Sequence, residues 1–203
     1  MELKTIIAVI SVAMTLFGYY FYFKDIFAGK TKPHAYSWLV WGLLTAIAFF
    51  GQISAGAGAG AWVTATTAVV SFVIVGLAVQ RGEKNVTKGD QINLIGCFIA
   101  ILLWLVTSTP LLSMLLITLI DFLGFLPTIR KSIHKPHEET LILYVFAGAK
   151  FALAMFALDN FSVITALYPM SLVMANWLFV VMLVVQRRRL EEKNKEKDDK
   201  KLH

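Results

Sequence analysis

Apolar residues in this chain come in long unbroken runs, and the polar positions collect in the short stretches between them. Seven such runs span roughly residues 5–23, 37–53, 62–79, 91–108, 111–129, 140–158 and 162–186. Each is close to the ~20 residues that cross a bilayer as a helix. Lipid offers no partner to a free backbone N–H or C=O, so runs of this kind predict helices. The expected fold class is an all-α integral membrane protein with seven transmembrane helices. The first run follows Lys4 as a signal peptide would, but it continues through Tyr19-Tyr20-Phe21-Tyr22-Phe23 without a small-residue cleavage site and reads as a span.

The connections differ in charge. Lys24, Lys30 and Lys32 follow the first run, Arg81, Lys84 and Lys88 the third, and Arg130, Lys131 and Lys135 the fifth. Arg187, Arg188, Arg189 and five lysines follow the seventh. The alternate connections, 54–61, 109–110 and 159–161, hold no Lys or Arg. Basic loops favour the cytoplasm, which places the N-terminus outside and the C-terminus inside.

Two of the basic connections share a tripeptide. Lys32-Pro33-His34 occurs again as Lys135-Pro136-His137, an offset of 135 − 32 = 103. At that offset Thr15-Leu16 falls on Thr118-Leu119, Ile26 on Ile129 and Ala46 on Ala149; Gln80-Arg81 matches Gln186-Arg187 at 106. The expected organisation is a three-helix repeat over residues 1–82, a linker helix (TM4) over 83–109, a second three-helix repeat over 110–188 and a charged cytoplasmic tail over 189–203. A single helix between the copies keeps both in the same orientation, a 3+1+3 parallel repeat about an axis normal to the membrane.

Of the 203 residues 58% are hydrophobic, above the share of an ordinary soluble domain. The net charge is +6, but it sits in connections and tail, so anionic lipid headgroups at the cytoplasmic face are the expected partner and nucleic acid is not. Cys97, the only cysteine, cannot form an internal disulfide and reads as a small core residue. The stretch Ser54–Ala61 alternates Gly and Ala, yet no strand precedes it and no Lys-Ser/Thr pair follows, so it is a turn and not a nucleotide loop. Residues 187–203 have no apolar face and read as a helix extension into water or a disordered tail. His34 and His137 are expected to shape their turns and meet phosphate headgroups. No metal site, cofactor or catalytic constellation is expected.

Three polar residues stand inside apolar runs: Asp121, Lys150 and Asn176. A charge at the bilayer centre costs ~2.5–3.5 kcal/mol even on lenient scales, so such residues face the bundle interior and mark pathways. Counted from the basic ends at ~1.5 Å per residue, they lie roughly 13, 15 and 15 Å deep, at one level near the midplane. At the offsets above they align with Gly18, Ile47 and Val70, which confines the polar chemistry to one half. Two readings follow. Asp121 and Lys150 form an ion pair fastening the fifth and sixth helices, or they bind a solute or carry a proton, with Asn176 adding directional hydrogen bonds. Trp38 and Trp41 are expected in an interfacial belt. Trp177 should point away from the pocket. Tyr19 and Tyr22 are gate candidates, and Pro169 is a kink or hinge candidate.

This arrangement resembles the SWEET and SemiSWEET sugar facilitators and the wider PQ-loop (MtN3-like) group, over all seven runs. Members carry Pro-Gln near the inner end of the first helix of each repeat. Here the second repeat has Leu126-Pro127-Thr128, then Arg130 and Lys131, while the first has Lys24-Asp25. The helix-2 and helix-6 prolines of SWEETs are absent. Ala175-Asn176-Trp177 looks like the family's substrate-binding Asn position; its counterpart is Val70, and Thr66 and Thr67, one turn away, are the substitutes. The resemblance implies a facilitator or proton-coupled carrier for a small polar, sugar-like solute, working by alternating access, with Pro127 as a gate or hinge. An integral protein of a bacterial or archaeal plasma membrane is expected, with oligomerisation possible but not required. The alternative is a membrane receptor or scaffold binding a peptide or protein partner, like the KDEL receptors of the same group. A retinal photoreceptor fits poorly, because its lysine belongs on the last helix.

Overall fold

The computed structural model describes residues 2–106 and 110–202, the side chains at 93, 97, 100, 103, 104, 110, 111, 113, 114 and 196–202 excepted. The expectation for Cys97 therefore lies outside the described side chains. Among the described residues there is no strand. Each apolar run is a helix: α1 (Glu2–Phe27), α2 (Ala35–Ser54), α3 (Trp62–Arg81), α4 (Lys88–Val106), α5 (Pro110–His134), α6 (Leu141–Phe156) and α7 (Val163–Leu202). Among the described residues four stretches, Glu2–Phe27, Ala35–Ser54, Gly58–Arg81 and Val163–Lys195, are long and apolar enough to cross a membrane. α6 is apolar but has 16 residues, about 24 Å of helix. Of the two readings of the tail, the helical one is found, since α7 runs unbroken to Leu202.

Packing follows one scheme in both halves. α3 lies against α1 and α2, and α7 lies against α5 and α6. Among the described residues the backbones of α1 and α2 do not meet, nor do those of α5 and α6. The halves join through α1 on α6 and α2 on α5, and α4 rests mainly on α5. Glycines set these approaches. A Cβ on Gly18 would stand 3.0 Å from Phe146 of α6, and one on Gly124 would stand 2.7 Å from Val40 of α2. Within the halves, Phe72 covers Gly42 and Trp177 covers Gly148.

These pairs give a register that differs from the tripeptide's. Gly18 and Gly124 differ by 124 − 18 = 106, as do Val40 and Phe146. At 106 the buried Ser11, Thr15, Gly18, Tyr19, Tyr22 and Ile26 of α1 fall on buried positions of α5, and Trp38, Gly42, Leu44, Thr45 and Ala48 of α2 on buried positions of α6. For α3 and α7 six of the seven buried α3 positions fall on buried α7 positions at 176 − 71 = 105. The two Lys-Pro-His copies are thus not equivalent. His34 is the N-cap position of α2, whereas Thr140 holds that place in α6, and Pro136–Glu138 form an intervening 3-10 turn.

The connection after α2 shows why it is built of glycine. Gly56 and Gly58 have φ of +74° and +60°, the left-handed region that only glycine enters freely. The Asp159 carboxylate occupies the space a Gly58 side chain would need. A Cβ on Gly60 would come within 3.0 Å of the Leu158 backbone, which cannot rotate aside. Gly60→Ala should therefore weaken this end by about 1–3 kcal/mol, read as an earlier melting transition in detergent; an unchanged transition would show that the contact is slack.

Candidate functional site

A cavity lies between the halves, midway along the helices, lined from α1, α2, α3, α5, α6 and α7. Its volume is about 50 Å³, where one water needs about 10–15 Å³. At that size it has room for a few waters or one compact solute. Asp121, Lys150 and Asn176 all line it, as do Thr67 and Tyr19. Each of the first three is at most 6% exposed.

Lys150 donates to Thr67 Oγ1 at 2.8 Å and lies 5.0 Å from the Tyr19 ring centroid and 4.8 Å from that of Phe151. Thr67 in turn donates to the Val63 carbonyl. Asp121 receives one long contact, from the Tyr168 hydroxyl at 3.4 Å. Asn176 donates to the Leu172 carbonyl of its own helix at 2.7 Å. Of the two readings of Asp121 and Lys150, the ion-pair fastener is not formed: no ion pair joins them among the described residues. The physical reason is topological, since α7 stands between α5 and α6.

Other expectations shift. Thr66 turns to the Trp62 carbonyl and does not line the cavity. Trp38 and Trp41 are not in an interfacial belt. They are 3% and 8% exposed and face the cavity. With Tyr22, Phe125, Tyr144 and Phe179 they form a continuous aromatic layer, with successive ring centroids 4.4–5.2 Å apart. Tyr22 is fully buried in that layer and accepts from Trp38 Nε1 at 3.0 Å. Trp177 points outward, 54% exposed. Pro127 and Pro169 are buried inside α5 and α7. In the structural register Asp121 faces Thr15 and Asn176 faces Ser71, so polar residues occur in both halves. Sequence reasoning missed Thr45, Ser71 and Tyr168. Thr64, Thr67 and Ser71 recur at helical spacing within an otherwise apolar α3, and that stripe was the available signal.

Beyond the aromatic layer, the basic connections meet in a network that crosses between halves. Lys32 pairs with Glu138 at 2.8 Å, and Lys135 with Glu83 at 2.9 Å. Thr140 donates to Asp25 at 2.8 Å and meets Thr31 at 2.6 Å. Lys131 pairs with Glu139 and donates to the Lys32 carbonyl at 2.6 Å. Arg130 reaches Asp90 of α4 through two nitrogens, at 3.1 and 2.6 Å. His34 is not at the headgroups: it is fully buried, 3.6 Å from Asp90, while His137 is exposed. Burial pushes the His34 imidazole below its usual value, against the pull of Asp90.

Burial alone would raise the Glu83 carboxyl. The Asn85 N–H and the Lys135 ammonium outweigh it and hold the group at about 2, below the ordinary 4.5. The folded state therefore binds this proton less readily than the unfolded one, so its stabilisation is complete above pH 4.5 and is lost between 4.5 and about 2. Melting temperature should fall with pH across that window, and Glu83→Gln should flatten the slope; equal slopes would remove Glu83 as the source.

The opposite, glycine-rich end is closed more lightly. Lys4 donates to the Leu158 carbonyl at 2.7 Å and lies 3.4 Å from Asp159. Asn160 donates to the Ala55 carbonyl at 3.2 Å, and Asp159 N–H to that of Ala57 at 3.2 Å. Side-chain and backbone contacts thus bridge the halves at both ends. Comparison with family models, curated proteins and solved structures returned no match.

Proposed function

We propose that this chain is a membrane carrier for a small polar solute, moving it by alternating access between two three-helix bundles. The observation that carries this reading is the central cavity, where buried Lys150 and Asp121 have no ionic partner among the described residues. Buried charges without a structural partner in a bilayer are retained for a pathway. The repeated packing scheme and the coincident buried positions support the finer architecture: seven spanning helices, three plus one plus three, with α4 as the linker that restores direction. The excess of Lys and Arg at one end supports a cytoplasmic basic face and an external N-terminus, with anionic headgroups against the exposed Lys24 and Lys30.

In this scheme the present form is the occluded state. Opening the basic end parts the cross-half network and the aromatic layer; opening the other end parts Lys4 from the Leu158–Asp159 turn. Pro127 and Pro169 interrupt helical bonding where α5 and α7 would bend. In proteoliposomes, Asp121→Asn, Lys150→Ala and Asn176→Ala should each abolish uptake while eluting as folded protein. Wild-type rates in all three would sink the carrier assignment.

A further inference from the structure

The cavity presents an amine and a carboxyl group on different walls. Lys150 enters from α6, with one hydrogen bond used of the three its ammonium can donate. Asp121 enters from α5, with only the long Tyr168 contact on its carboxylate. One further polar group there is also unused: Trp41 Nε1, which only donates, is buried and without a hydrogen-bond partner among the described residues.

We propose that the solute is a small zwitterion of the α-amino acid class, its carboxylate on Lys150 and its ammonium on Asp121. This rests on the carrier reading above. The chemistry excludes simpler occupants. An anion alone leaves Asp121 unpaired and opposes it, a cation alone does the same to Lys150, and a neutral polyol satisfies neither charge. A zwitterion neutralises both at once. Size points the same way. About 50 Å³ is room for roughly three to five water-sized groups, which suits glycine, alanine or serine better than a hexose.

The test uses the full chain in proteoliposomes with radiolabelled glycine and L-alanine, and labelled glucose in parallel. Uptake of the amino acids is expected, inhibited by unlabelled L-serine but not by acetate, methylamine, N-acetylglycine or glycinamide. This competition series needs no variant. Lys150→Gln and Asp121→Asn should each weaken amino-acid binding at least about tenfold, the scale of one hydrogen bond to a charged group. Uptake of glucose without either amino acid would overturn the zwitterion and leave the carrier standing. Equal inhibition by acetate or methylamine would overturn the two-charge site. No uptake of any of the three would remove both readings.

Discussion

Lys150→Met should make the protein more stable and transport-dead. Lys150 is 2% exposed and has one hydroxyl, two ring faces and no carboxylate as partners. A buried charge so poorly compensated destabilises the fold, and a methionine of similar length would restore apolar packing. Replacing even a paired set of buried charges by well-packed apolar residues is often neutral or stabilising, by about 1–4 kcal/mol, and Lys150 has no ion pair to lose among the described residues. A melting curve in detergent reads the gain, and proteoliposome uptake reads the loss. A structural lysine gives the opposite pair of results, lower stability with surviving uptake.

Lys131→Ala should do what Lys150→Met does not. Lys131 and Glu139 are both 1% exposed, and the ammonium also reaches the carbonyls of Lys32 at 2.6 Å and Glu138 at 3.3 Å. Tyr144 donates to the other Glu139 oxygen at 2.9 Å. Removing the lysine leaves a buried carboxylate with the Tyr144 hydroxyl and the neighbouring Arg187 guanidinium as its remaining partners. Loss of one partner of such a pair costs about 3–5 kcal/mol. Because the lysine also holds the Lys32 carbonyl of the other half, the basic end should open as well. Equilibrium unfolding would show the loss, and Lys131→Met combined with Glu139→Gln should recover much of it. A single variant as stable as the parent would mean that this junction does not hold the halves.

The contrast between these two lysines was only half legible in the sequence. Lys150 inside an apolar run announces itself, whereas Lys131 sits in a basic connection and reads as one more surface cation. Helix positions were legible because unbroken apolar runs leave little choice. The register was not. The Lys-Pro-His copies are offset by 103 where the packed helices are offset by 106 and 105, and three residues is close to one helical turn. A slip of that size keeps apolar on apolar, so nothing in the pattern resists it. Its effect was to pair Asp121 with Gly18, hiding Thr15; the Gln-Arg match at 106 paired Asn176 with Val70, one residue from Ser71. Trp38 and Trp41 were misplaced for a related reason: a tryptophan near a helix end looks the same in a lipid belt and over a cavity floor. Only the burial of the whole α2 face separates the two.

Alternating access itself can be watched at Ser71, which is fully buried and lines the cavity. Cys97 is the only native cysteine, so Ser71→Cys in a Cys97→Ser background carries a single thiol. In sealed vesicles of known orientation, a membrane-impermeant maleimide should label that thiol when added from either side, with added solute changing the rate. Labelling from one face only, or from neither, would contradict a carrier.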